Sequence, residues 1–517
     1  MGICRVWKQT TGQQPRESRD PATVSTDRHL GRSNGLCTQR CRFFRLKVKL
    51  HQRIPQLFTQ RFPRDPSLRD LLRRRKADCF STLFLLAVMP KSFQSQGVVP
   101  ECVYLSEKQQ RLLTDLADGI IAETLETYEA FIANGRDLPS HEWKHVKSKE
   151  KVHVYRSRHD KVLKARRQSQ DEKDPSRPRL LSLSAMERHE REASGRPYVY
   201  DDEGPTLQEK DSTNTHSSSS DAGSFSLDDT CVLAHVKPSH VPLVVAVGMV
   251  DGTVEDVAFG AFASNKRSWL VRNSYVHNDV FDDRKVLATL QSPSEEDPFR
   301  SVTIKWATGS YGTFTTRRDF LYLESMGMAY DSDGERIFYN LIHSIELDDC
   351  PPLDNRHNII RVQMTTCYIG RQLHDNSVEM FCRGFVDPRG DMIESYGILM
   401  LAHNVANCSG FVECSNLKKL SWLMALRRRS DAAGVPLSSE CGVCKKSLKK
   451  LGLLQSPSGC AICRCLTCNK CNVQKKLTVD ASSNEVTQKN LTFCLPCVLE
   501  AKGLAAWEIA ASSLRSP

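Results

Sequence analysis

RRDFLYLESMGM, residues 317–328, interleaves apolar and polar residues and reads as a β-strand. It is one of a series. VTIKWATG (302–309), ERIFYNLIHSIEL (335–347), IIRVQMTTCYIG (359–370) and NSVEMFCRGFVD (376–387) share the pattern, and most are separated by turn formers such as DSDGE and CPPLDN. Strands arriving one after another with short turns between them pair antiparallel.

Working outward, the pattern changes on both sides. Upstream, TCVLAHVKPSHVPLVVAVGMV (230–250) is a strand-like run, and DGTVEDVAFGAF (251–262) begins a helix with Thr253 as its N-cap. Downstream, Leu399, Leu401, Val405, Leu417, Leu420 and Leu423 predict one long helix over 394–428. Further upstream, SEKQ (106–109) is a capping box. It opens a helix carrying Leu112, Leu113, Leu116, Ile120, Ile121, Leu125, Tyr128 and Phe131, with a stop at Asn134-Gly135. WKHVKSKEKVHVYRSR (143–158) reads as two short strands or a hairpin. Residues 162–228 are too polar to bury a core and are expected to be disordered. The fold class is therefore α+β: a curved antiparallel sheet around a long C-terminal helix, an arrangement with room for a cavity and an apolar ligand.

Charge excludes one class of partner. The chain of 517 residues carries a net +11, but residues 1–88 hold 19 Lys/Arg against 6 Asp/Glu, a balance of +13 that leaves −2 for 89–517. The pI thus gives no reason to expect nucleic acid. Residues 1–100 read as a basic disordered arm or as a non-native extension, with synthesis starting at Met89. The best apolar run, TLFLLAVM (82–89), falls far short of the roughly 20 residues of a membrane span. With no secretory signal at the N-terminus, the expected location is cytoplasmic, where thiols stay reduced.

The order of elements over 101–430, with 162–228 set aside, resembles the START domain, the helix-grip lipid-transfer fold. Trp143 followed by VHVYR resembles its opening strands, and RRDFLYL (317–323) its Arg-Asp-aromatic strand. NLIHSIELDDCPPL (340–353) and the Asp-Pro-x-Gly turn of VDPRGDMIES (386–395) are similar to later family segments. The resemblance implies a cavity between sheet and C-terminal helix for one lipid or sterol. Arg318 and Asp319 are candidates for a buried ion pair in it, against the alternative of an ordinary strand-surface pair.

Nine of the chain's 20 cysteines fall within 441–497. Cys441/Cys444, Cys460/Cys463, Cys468/Cys471 and Cys494/Cys497 form four CxxC pairs, eight ligands for two structural zinc ions, and Cys465 is left over. A two-residue spacer lets a tight turn aim both sulfurs at one ion, at about 2.3 Å. The absence of histidine from 441–497 and the central spacing argue against a RING-type ubiquitin ligase.

That spacing, over 436–500, resembles the FYVE finger. The resemblance implies Cys441, Cys444, Cys468 and Cys471 on one zinc, and Cys460, Cys463, Cys494 and Cys497 on the other, in a cross-brace. The family's basic run for phosphatidylinositol 3-phosphate is replaced by SPSGCA (456–461), and its other two headgroup elements are missing from TFC (492–494) and GVPLSSEC (434–441). Between the second and third ligands, Lys445, Lys446, Lys449 and Lys450 sit beside Leu448, Leu451, Leu453 and Leu454, where FYVE fingers dip into the bilayer. Lysines near an anionic surface contribute about 1 kcal/mol each, so this loop is a candidate membrane contact; the alternative is leucines packed on the zinc core. Residues 501–517 are left as a C-terminal tail.

Together these readings predict a non-enzymatic lipid-binding protein. Its finger would dock on an anionic membrane, endosomal or another intracellular one, or on a protein partner. The alternatives are a protein-interaction adaptor without a lipid, a ubiquitin ligase, and a helix-grip cyclase, for which no acid–base constellation is visible.

Overall fold

The computed structural model describes residues 93, 95–158, 183, 186–187, 232–276, 281–311, 315–430, 439–448, 458–482 and 485–515. The reading of residues 1–100 as an arm or extension lies outside them except at 93 and 95–100, where Val99 is buried in the main core with Phe93 and Val98 packed against it. The reading of 162–228 as disordered lies outside them too, except at Leu183, Met186 and Glu187; Leu183 is buried in the main core.

Helix α1 (Glu107–Ala133) starts at the capping box. The Ser106 Oγ accepts from the Gln109 backbone N–H at 3.2 Å, and the Gln109 Oε1 accepts from the Ser106 N–H at 2.9 Å. The hairpin β1 (Trp143–Lys149) and β2 (Val152–Ser157) follows as expected. The strand-like run at 230–250 divides into helix α2 (Val232–Val236) and strand β3 (Val244–Asp251). Pro238 and Pro242 lie between them and cannot donate to a ladder, so pairing begins only beyond them. Helix α3 (Val254–Ala261) is capped by Thr253, whose Oγ1 accepts from the Asp256 N–H at 3.1 Å.

Helix α4 (Lys266–Val276) and strand β4 (Phe281–Gln291) carried no sequence signal. Both bury charged or polar residues: Arg272 and Asn273 in α4, Asp283, Arg284 and Lys285 in β4. Their apolar periodicity is erased accordingly. The serial strands follow: β5 (Ser301–Gly309), β6 (Arg317–Tyr330) and β7 (Arg336–Ser344), then a single turn of helix, α5 (Asp354–His357), and β8 (Ile359–Arg361), β9 (Gln363–His374) and β10 (Ser377–Asp387).

The sheet runs β1-β2-β3-β10-β9-β7-β6-β5-β4, antiparallel throughout, with β8 added in parallel to the start of β6. The expected single helix over 394–428 is two: α6 (Glu394–Ala406) and α7 (Phe411–Ser430), joined by a tight turn at Asn407–Gly410. Asn, Ser and Gly there are poor helix formers, and Lys149 donates to the Asn407 side chain at 2.9 Å. Leu399, counted in the helical stripe, is exposed.

Alternation along the strands makes two cores. On one face, Val302, Ile304, Trp306, Leu321, Leu323, Tyr339, Ile369 and Phe381 pack against Leu113, Ala117, Ile120 and Leu125 of α1. On the other, Val152, Val154, Val244, Ala246, Phe338, Tyr368 and Met380 meet α3, α6 and the start of α7 through Val257, Ala258, Leu401, Val405 and Phe411. Each fully buried aliphatic or aromatic side chain contributes about 1.5–3 kcal/mol. The antiparallel sheet with C-terminal helices over one face is consistent with the START-like arrangement inferred from the motifs.

Candidate metal centres and the helix-covered face

The four CxxC pairs converge on two points. Cys441, Cys444, Cys468 and Cys471 bring their sulfurs within 4.8 Å of one another, and so do Cys460, Cys463, Cys494 and Cys497. The first and third pairs thus share one centre, the second and fourth the other.

The backbone explains how. After Cys444 and after Cys463 the chain turns through a residue of positive φ, Lys445 (59°) and Arg464 (62°). Each turn is closed by matching bonds: Lys445 N–H to the Cys441 carbonyl and Arg464 N–H to the Cys460 carbonyl, both 2.9 Å. The second half of the first centre comes from the segment between strand β12 (Leu466–Thr467), which pairs with β11 (Ser458–Gly459), and strand β13 (Asn472–Asp480). That of the second centre comes from the end of β14 (Thr487–Cys494) and the start of α8 (Leu495–Gly503), which has Pro496 in its first turn.

The donor sets fit a tetrahedral thiophilic ion. Bonds of about 2.3 Å to four sulfurs require sulfur–sulfur edges of roughly 3.8 Å. Cys444 and Cys468 are 3.7 Å apart, as are Cys463 and Cys494. The electrostatics agree. The Cys460 thiol is drawn down to about 4 by a hydrogen bond from Cys497, against desolvation and with help from the N–H groups of Cys494, Ile462 and Cys463. Cys497 is pushed far up by the same hydrogen bond and by burial. Four sulfurs this close do not all ionise without a cation, and a divalent ion is what such a set accommodates. Two groups of four cysteines are therefore able to hold metal, compatible with zinc.

The finger is built onto the sheet domain. Cys460, Ile462, Leu477, Phe493, Cys494, Cys497 and Ala501 pack against Leu417, Leu420, Leu423 and Met424 of α7. Thr478 N–H donates to the Tyr275 hydroxyl at 2.6 Å, and Lys475–Glu413 (2.7 Å) and Arg427–Glu500 (2.8 Å) close the rim. The segment left as a tail contains helix α9 (Ala506–Arg515), whose Trp507 meets Phe299 edge-on and lies under the Arg336 guanidinium at 4.6 Å.

Of the residues proposed for membrane contact, Lys445 and Lys446 are exposed, and Lys449, Lys450, Leu451, Leu453 and Leu454 lie outside the described residues. Leu448, their neighbour, packs on Cys441 and Cys471, as the alternative reading of that loop expects.

Arg318 and Asp319 are both fully buried, but they do not pair with each other, and neither is a surface residue. Adjacent on a strand, they serve different partners. Arg318 pins the turn before α6, donating to the carbonyls of Arg389 (2.8 Å) and Pro388 (3.3 Å) and pairing with Asp391 (2.7 Å). Asp319 pairs with Arg361 (2.8 Å) and accepts from the Trp306 indole N–H at 2.9 Å.

Sequence reasoning missed a larger set of buried charges on the helix-covered side. Arg272 pairs with Glu324 at 2.7 Å, and Lys305 pairs with the same carboxylate. Desolvation works against the Glu324 carboxylate, but Arg272 and Lys305 hold it down to about 2. Burial pushes the Lys305 ammonium down to about 8. These cations have work at the end of α3: Arg272 donates to the Ala261 carbonyl at 3.2 Å and Lys305 to that of Ala263 at 2.5 Å. Lys418 adds bonds to the carbonyls of Phe259 (2.6 Å), Gly260 (3.2 Å) and Phe262 (3.1 Å). A buried helix C-terminus leaves carbonyls unsatisfied, and cations are its natural partners. Such positions have no sequence signature, because their partners come from four distant segments.

A cavity of about 400 Å³ lies at the seam between sheet domain and finger, lined by Thr253, Asp256, Gln372, Lys419, Lys502 and Leu504 among others. Several of its polar groups are already engaged: Lys419 pairs with Asp256 at 2.6 Å, Ser415 donates to Asp256 at 2.7 Å, and Gln372 accepts from the Val254 N–H at 2.7 Å.

Among the described residues no helix is long and apolar enough to cross a membrane. The chain matches no protein-family model and no curated protein. Among solved structures it is similar to human STARD10 (11% identity, TM-score 0.30, covering 57% of this chain and 80% of that one). It is also similar to human StAR-related lipid transfer protein 5 (10%, TM-score 0.30, 59% and 97%). A further likeness is to the Zhui aromatase/cyclase of Streptomyces sp. R1128 (10%, TM-score 0.21, 38% and 99%). The structural neighbours are thus mainly START and lipid-transfer domains, and at these scores they add nothing to what the strand order already says.

Proposed function

We propose that this chain is a non-enzymatic lipid-binding protein. A lipid or sterol occupies the layer between the sheet and the helices α3, α6 and α7, and a FYVE-like cross-braced zinc finger docks the domain on a membrane or a protein partner. The observation that carries the reading is the composition of that layer. Met326, Met328, Met380, Phe338, Tyr368 and Cys382 face the helices there, a lining of flexible and aromatic side chains that repacks readily around an apolar guest. The interlocked cysteine pairs support the FYVE-like reading, and the exposed Lys445 and Lys446 suit an anionic surface.

One observation favours a second reading, an adaptor that carries no lipid. The layer is closed tightly: a Cβ on Gly260 would fall 1.8 Å from the Phe411 carbonyl oxygen, so α3 and α7 touch backbone to backbone. Native mass spectrometry of the full chain, purified from lipid-rich cells, separates the two. A lipid-sized adduct beside two zinc ions supports lipid carriage, and its mass names the ligand class. Two zinc ions with no adduct supports the adaptor and sinks the lipid reading.

A further inference from the structure

Cys465 belongs to neither cysteine tetrad, yet it sits between them. Its Sγ lies 3.1 Å from that of Cys463, closer than the 3.7 Å separating ligand sulfurs within the tetrads. The backbone holds it there. Arg464, at a φ of 62°, turns the chain between the two cysteines, and the Cys460 N–H donates to the Cys465 carbonyl at 3.0 Å. From the other side the first centre presses in: a Cβ on Gly442 would lie 2.9 Å from the Cys465 Cβ and 3.1 Å from its sulfur. Only glycine lets that turn close over the fifth thiol. Cys463 is exposed and Cys465 half-buried, so a small oxidant reaches the pair from solvent.

We infer that Cys463 and Cys465 form a redox-operated release site for the second metal ion, in which Cys463 is the oxidised ligand and Cys465 the resolving thiol. The chemistry balances with a peroxide as oxidant. The Cys463 thiolate attacks the O–O bond of hydrogen peroxide, giving a sulfenic acid and hydroxide. The Cys465 sulfur then attacks the Cys463 sulfur; the S–S bond forms, the Cys463 S–O bond breaks, and the departing hydroxide leaves as water with the Cys465 proton. Overall, one thiolate, one thiol and one peroxide become one disulfide, one water and one hydroxide. The second centre is left with Cys460, Cys494 and Cys497, one ligand short of a closed tetrahedral set. Among the described residues no fifth sulfur lies that close to a cysteine of the first tetrad, which keeps all four.

The consequence is directional. Cys460, Cys494 and Cys497 are the ligands that pack against Leu417, Leu420 and Leu423 of α7, whereas the first centre packs on Leu448 and Leu466. Oxidation therefore loosens the finger where it is attached to the sheet domain. A thiol reductant with added zinc reverses the change.

The inference rests on the metal reading and not on the lipid reading. Its test uses the zinc-loaded full chain and hydrogen peroxide, with a zinc-sensitive dye and peptide mapping by mass spectrometry. The expected result is release of one of two ions with a Cys463–Cys465 disulfide, and release slowed roughly tenfold in Cys465→Ser and Cys465→Ala. Equal release rates in the variants, a disulfide mapping elsewhere, or loss of both ions together overturns it. So does a Cys465→Ser protein that binds fewer than two ions when reduced, because Cys465 would then be a ligand itself. Absence of zinc from the reduced parent overturns the metal assignment as a whole and is read separately, before any peroxide is added.

Discussion

The sheet domain and the finger share α7 but are held together by different physics. On the sheet side, Phe411 stacks edge-on against Phe338 and Tyr368 in a core assembled from strands far apart in sequence. On the finger side, the buried cluster around the first centre comprises, among the described residues, Cys441, Leu448 and Cys471, two of them members of the tetrad. The sheet domain buries apolar area drawn from many strands, whereas the finger gathers its cysteines around two points able to hold metal. The contrast predicts that the two halves fail under different insults.

The largest effect should follow metal removal. Structural zinc in small modules contributes on the order of 10–16 kcal/mol to folding. A strong chelator under reducing conditions should abolish amide protection in β13 and β14 while leaving it intact in β5, β6 and β7, as read by hydrogen exchange. Protection of β13 and β14 persisting in the metal-free protein would show that the apolar contacts with α7 suffice, and the contrast would collapse.

Phe411→Ala tests the other half. Removing a ring buried between Phe338 and Tyr368 should cost about 3–5 kcal/mol in denaturant unfolding of the sheet domain, with both ions still bound. Loss of zinc together with stability would mean that the sheet domain and the finger unfold as one unit.

The same contrast governs what was legible in the sequence. The eight cysteines of the two tetrads were readable because CxxC spacing is local, and their grouping followed from a family resemblance. The capping box at Ser106, the Thr253 cap and the serial strands were readable for the same reason: each signal lies within a few residues. What failed was long-range. Arg318 and Asp319 looked like a pair because they are neighbours in sequence, yet a strand sends neighbours to opposite faces, and their ion-pair partners, Asp391 and Arg361, come from distant parts of the chain. Strand β4 and helix α4 were invisible because their buried charges are satisfied only by the assembled fold. The 394–428 helix was overextended because its apolar residues keep their period across the weak Asn407–Gly410 turn.

A third test uses acidity and touches only the sheet. His343 is buried on β7, hydrogen-bonded to the Thr365 hydroxyl at 2.8 Å, and burial alone pushes its imidazole from 6.5 down to about 4. The unfolded chain therefore takes up the proton near pH 6.5 and the folded chain only near pH 4. Between those values the unfolded state binds more protons, so stability rises with pH across that window and is level above it. Urea unfolding should find the parent on the order of 2 kcal/mol less stable at pH 5 than at pH 7, with this component absent from His343→Gln. An identical pH dependence in parent and variant would show that His343 is already protonated in the fold, or reaches water.

The smallest effect marks how far the sheet domain depends on local signals at all. Ser106 accepts from the Gln109 N–H and Gln109 reaches back to the Ser106 N–H, so the reciprocal cap serves two donors at the start of α1. Ser106→Ala should cost about 1 kcal/mol, since α1 is anchored along its length by Leu113, Ile120, Leu125 and Phe131. The loss should appear as fraying of the first turn in hydrogen exchange, with no change in the finger or its metal content. A cost of several kcal/mol would mean that α1 docks through its first turn rather than through its apolar stripe. The stability of that sheet face would then rest on a four-residue local motif, much as the finger rests on its CxxC pairs.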